Sequence, residues 1–102
     1  MANRYRGEAC LQGPESSYTL RLTLDALAHL ETVFETENLG ALTKQLLDGD
    51  LTAAQLQTVL TEALVAGGDV NRRDANALLA NTGKPLAMRA AYVDLMRATF
   101  AP

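Results

Sequence analysis

The sequence lacks tryptophan and holds one cysteine, one histidine and three prolines among 102 residues. With Cys10 alone, no internal disulfide can form, and nothing points to an oxidising compartment. One histidine and one cysteine cannot supply a structural zinc set. Asp48-Gly49-Asp50 lacks the rest of a calcium loop and reads as a turn between helices. No apolar run approaches the roughly 18 residues of a membrane span. The polar start, Met1 to Gly7, has two arginines with no apolar stretch behind them, so no signal peptide is expected and a cytoplasmic location is. Phosphate-binding signatures are missing too. There is no G-x-G-x-x-G, and Gly83-Lys84-Pro85 lacks the upstream glycine and the hydroxyl residue of a P-loop.

What is present suits a globular chain: 48% hydrophobic and 21% charged residues. At 5% aromatics, the core must be built mainly from Leu, Val and Ala, which favours helices. Net charge is −3, unevenly spread. Residues 23–62 carry seven acids against Lys44, whereas residues 63–102 carry five bases against three acids. An acidic middle is a poor footprint for a nucleic-acid backbone. It suits a basic partner, or a neighbouring copy of the chain.

Alternation marks the first element. Tyr5, Gly7, Ala9 and Leu11 fall opposite Arg4, Arg6, Glu8, Cys10 and Gln12; Tyr18, Leu20 and Leu22 fall opposite Ser17, Thr19 and Arg21. Period two with Gly13-Pro14-Glu15-Ser16 between predicts a β-hairpin over 4–22. A lone hairpin is marginal, so its apolar face must lie on helices. Its outer face, with Arg4, Arg6 and Arg21, and its strand edges are candidate contact surfaces.

Helices follow over 23–100. Thr23 caps the first, with Leu22 and Leu27 as a hydrophobic staple and Leu24, Leu27, Leu30 and Phe34 as its apolar stripe. Asp25, His29, Thr32 and Thr36 form its polar side. Asn38 starts a short helix with Leu39, Leu42 and Leu46, ended near Gly49. Thr52 and Gln55 make a capping box for the clearest helix, whose Leu56, Val59, Leu60, Ala63 and Leu64 form a core-facing stripe stopped by Gly67-Gly68. Asn71 caps a fourth helix, and Pro85 opens a fifth carrying Leu86, Val93, Met96 and Phe100. The expected architecture is α+β and mainly helical: an N-terminal β-hairpin packed on about five short α-helices, one domain over 1–102.

No catalytic constellation emerges. His29 and Asp25 are spaced to share a hydrogen bond, yet such a pair on a helix surface is ordinarily a weak solvated contact. Cys10 has no identifiable base beside it. No catalytic, cofactor-binding or metal-ligating residue is expected, and the chain is read as non-enzymatic. The acidic belt is placed on outward helix faces, where Glu31, Glu35 and Glu37 would rim an apolar groove fit for a basic amphipathic helix.

The residue order carries a resemblance. Met1-Ala2-Asn3-Arg4-Tyr5-Arg6-Gly7-Glu8, then Tyr18 through Glu31 at the hairpin-to-helix junction, then Asn38-Leu39-Gly40-Ala41-Leu42, Gly67-Gly68-Asp69-Val70 and Arg97-Ala98-Thr99-Phe100 together resemble the small tail proteins of gene transfer agents and related prophages. These are described as tail tube proteins or as tail assembly chaperones. The resemblance covers nearly the whole chain and is most specific from Tyr18 to Glu31. It implies a role in building a phage-like tail, with the tape measure protein or other tail proteins, or a further copy of the chain, as partners. It brings no catalytic motif. One hairpin is too little sheet for a usual tube ring, which favours the chaperone over a minor structural component retained in the particle. A small DNA-binding regulator is the remaining alternative, disfavoured by the acidity.

Overall fold

A computed structural model describes residues 7–13, 16–82 and 85–100. Two antiparallel strands, β1 (Glu8–Gln12) and β2 (Ser17–Arg21), precede five helices: α1 (Leu24–Phe34), α2 (Leu39–Asp48), α3 (Ala53–Gly67), α4 (Arg72–Thr82) and α5 (Pro85–Phe100). The fold is α+β and mainly helical, as the sequence predicts. Of the predicted 4–22 hairpin, residues 4–6 and, in its turn, residues 14–15 lie outside the described residues.

The strands pair in the register Glu8–Arg21 through Gln12–Ser17, which puts Ala9, Leu11 and Leu20 on the inner face. That face rests on two helices, α3 beneath β2 and α5 beneath β1. α3 is the hub, packed also on α1, α4 and α5. Its caps explain its position and length. Thr52 accepts from Gln55 N–H at 3.1 Å while Gln55 Oε1 accepts from Thr52 N–H at 2.9 Å, and Gly68 ends the helix in the left-handed region. Val59, Leu60, Ala63 and Leu64 are wholly buried. Burying leucines and valines at this density contributes roughly 1.5–3 kcal/mol each as an upper bound.

The last turn of α3 is held against β2 by backbone approach. A Cβ at Gly67 would lie 2.8 Å from the Thr19 carbonyl carbon, so only glycine lets the helix come this near. Just beyond, Asp69 Oδ2 accepts from the Thr19 N–H at 2.8 Å. The turn between α3 and α4 therefore seals the outer edge of β2.

Four predicted core positions are corrected, Leu39 at the first turn of α2 among them. Leu24 is 74% exposed and Leu86 84% exposed, and Val93 is exposed as well. Leu24 is the first residue of α1, a turn ahead of the buried Leu27 and Leu30. In α5 the buried face is Ala91, Tyr92, Leu95 and Met96, with Leu86 and Val93 on the opposite side of the helix. The Tyr92 hydroxyl decides that rotation by donating to the Leu46 carbonyl at the end of α2. Burial pushes the Tyr92 hydroxyl up to about 12, partly opposed by the charge of Arg89.

Candidate functional site

Glu31, Glu35 and Glu37 gather at the corner between α1 and α2, built by an unusual helix end. α1 terminates at Phe34, and Glu35 takes the left-handed conformation (φ 56°, ψ 36°) that normally falls to glycine. Its N–H donates to the Thr32 carbonyl at 3.3 Å and the Thr36 N–H to the Glu31 carbonyl at 3.1 Å, the paired bonds of a Schellman cap. Among the described residues Glu35 is the only non-glycine with positive φ. A side chain there costs about 1–2 kcal/mol. Asn38 then caps α2, accepting from Ala41 N–H at 2.8 Å.

The corner mixes charge with apolar surface. Glu35 and Glu37 are exposed and Glu31 half-buried, while Val33 is 47% and Leu39 41% exposed. Thr36, predicted on the polar side of α1, lies past the helix end with its hydroxyl buried and unpartnered. Arg21 is exposed at the end of β2, next to the start of α1. Residues 24–30 of α1, about 10 Å of helix, separate it from Glu31, and the full length of α1 from Glu35 and Glu37, so the two do not form one site. Arg4 and Arg6 lie outside the described residues.

The acidic belt does not all face outward. Glu62 is 5% exposed, and Arg72 at the start of α4 holds both its oxygens: Nη1 donates to Oε2, and Nη2 to Oε1 at 3.1 Å. Its hydrogen bond to Glu62 raises the Arg72 pKa above its ordinary value. His29, on the same side of α1 as Asp25, brings Nε2 to 3.7 Å from Glu62 Oε2, too long for a hydrogen bond. Asp25, His29, Glu62 and Arg72 line an open cleft of 450 Å³. Groups of both signs line it, so it is not the acid-rimmed apolar groove expected from the sequence. Of its two carboxylates, that of Glu62 is committed to a guanidinium, and its one hydroxyl, Thr23, caps α1 by accepting from the Ala26 N–H at 3.2 Å. Cys10 is exposed on β1, away from this cleft. No cluster of three or more metal-ligating side chains occurs among the described residues.

The Glu62–Arg72 pair escaped sequence reasoning because each partner looks ordinary in its own helix. Their ten-residue separation across Gly67-Gly68 was the available signal. The Asp69–Thr19 bond, spanning fifty residues, left none.

The sequence pattern of the family described as phage tail tube protein, GTA-gp10, matches residues 6–101. The chain belongs to that family. No curated protein and no solved structure matches it. Membership in the GTA-gp10 family gives the chain a structural or morphogenetic role in a phage tail. The family is one of structural tail proteins. No helix among the described residues is long and apolar enough to cross a membrane.

Proposed function

We propose that this GTA-gp10 family protein is a non-enzymatic tail assembly chaperone that binds amphipathic, basic helical segments of the tape measure protein at the α1–α2 corner. One observation carries this: Glu35 occupies a backbone position where glycine would be more stable. Strain of that kind collects at functional sites, because the side chain is retained for something other than stability. Exposed Val33 and Leu39 supply apolar anchors beside Glu35 and Glu37. Anchors give affinity and the negative charge steers a basic helix.

The test is co-expression with the tape measure protein of the same tail. The chaperone keeps that protein soluble and co-purifies with it in several-fold excess. Glu31→Lys, Glu35→Lys and Glu37→Lys together weaken the complex and remove much of its salt dependence. If the tape measure protein is equally soluble alone, and the chain is found in finished tails, the chaperone role is wrong. A tube or minor tail component is then the better reading, and the family's own description supports it.

A further inference from the structure

The two edges of the hairpin are treated differently. On β2, the Thr19 N–H points away from β1 to Asp69, and Gly67 comes against the Thr19 carbonyl. Antiparallel ladders alternate between residue pairs that exchange hydrogen bonds and pairs that do not. Thr19 bonds outward, so Cys10–Thr19 is a pair of the second kind. The Gly13 N–H to Ser16 carbonyl bond, 2.7 Å long and three residues along β1, keeps the same alternation. The backbone N–H and C=O of Cys10 therefore point out of the sheet on the far side of β1, followed two residues on by those of Gln12. Among the described residues nothing hydrogen-bonds to these groups from that side. Both residues are exposed. Folded chains ordinarily block such an edge with charge, proline, a bulge or a covering element. Among the described residues, β2 is blocked and the centre of β1 is left uncharged and open.

We propose that the open edge of β1 pairs antiparallel with β1 of a second copy, making a two-fold dimer with a continuous four-stranded sheet. The strand is its own complement in that orientation. Cys10 falls opposite the partner's Cys10, and Gln12 opposite the partner's Glu8, so no like charges meet. A parallel arrangement brings the two Glu8 side chains alongside each other, which disfavours it. A four-stranded sheet also relieves the marginal stability of two strands. The pairing is isologous and closes on itself. It does not depend on the tape-measure role, which uses the α1–α2 corner.

Cys10 makes the register measurable. Opposed residues in a hydrogen-bonded antiparallel pair have Cα atoms about 5.5 Å apart, inside the span of a disulfide. Sedimentation of the purified, reduced chain should give twice the 11.0 kDa of one copy. Oxidised glutathione should then link Cys10 to Cys10 efficiently. Cys10→Lys sets two ammonium groups face to face and should weaken the dimer by about ten-fold or more, with the far-ultraviolet circular dichroism unchanged. A chain carrying Cys10→Ser, Glu8→Cys and Gln12→Cys should cross-link, whereas Cys10→Ser with Gln12→Cys alone should not. This register test stands even if Cys10→Lys fails to fold. Leu86→Lys with Val93→Lys, on the exposed side of α5, should leave the dimer intact. A monomer at every concentration, a dimer indifferent to Cys10→Lys, cross-linking from Gln12→Cys alone, or a dimer lost only with the α5 changes would each overturn the proposal.

Discussion

α3 and the α1–α2 corner lie in the same small fold and follow opposite rules. Around α3 each local requirement is met. The capping box is closed, Gly68 takes the left-handed turn, and the buried carboxylate of Glu62 has its guanidinium. Thr61 finds a partner too, its hydroxyl donating to Asn76 Oδ1 at 3.2 Å. At the corner two requirements are broken within two residues: a glutamate sits where glycine belongs, and the Thr36 hydroxyl is buried without a partner. Consistency across levels is what specifies a fold, and proteins tend to break it where they work. The contrast separates a region tuned for stability from one that sacrifices some of it.

The comparison is broken most forcefully from the α3 side. Leu60→Asp inserts an unpaired charge into the centre of the core and should abolish cooperative thermal melting by circular dichroism. An unchanged melting temperature would mean that α3 is not the hub. Arg72→Ala strands the Glu62 carboxylate. Arg72 is half exposed, so water reaches the pair and the cost falls below that of a fully buried one, to about 1–3 kcal/mol. Urea denaturation of this variant should show a lower midpoint, largely recovered by adding Glu62→Gln.

Tyr92 ties α2, beyond the corner, to α5 beneath the sheet. Tyr92→Phe should cost about 1 kcal/mol at neutral pH for the lost hydrogen bond to Leu46. Its pH dependence has a definite sign. The folded-state value is raised from 10.0 to about 12, so the stabilisation is complete below pH 10 and lost as pH rises toward 12. Melting temperatures across that window should fall more steeply for the wild type than for Tyr92→Phe.

The smallest effects sharpen the comparison, because they carry the opposite sign. Glu35→Gly should stabilise by up to about 1 kcal/mol while weakening partner binding. Thr36→Val, which removes the unpartnered hydroxyl at constant shape, should stabilise by about 1 kcal/mol or less. Loss of stability in both variants would mean that the corner is not strained.

The sequence was most legible where the signal is local. Thr23, Asn38, Thr52 and Asn71 each make the capping bond their types suggest. Alternation alone identified the inner face of the hairpin. Legibility fails where two elements must meet. α5 carries apolar residues nearly all round, so periodicity could not choose Tyr92 and Leu95 over Leu86 and Val93. Charge counting could not tell that Glu62 turns inward while Glu37 stays out, because that depends on where α4 crosses α3. The candidate corner was half visible: its glutamates were singled out, but its strain comes from one backbone angle at Glu35 that a sequence does not display.

The packing of α5 beneath β1 has a consequence in time. β1 is made first, yet the helix that covers Ala9 and Leu11 is made last. At roughly 5–20 residues per second, more than seventy intervening residues keep that apolar face waiting on the order of 4–15 s on the ribosome. Throughout that interval the nascent hairpin has neither α5 beneath it nor, until Asp69 emerges, a sealed second edge. A chain cut short before residue 85 never escapes this state.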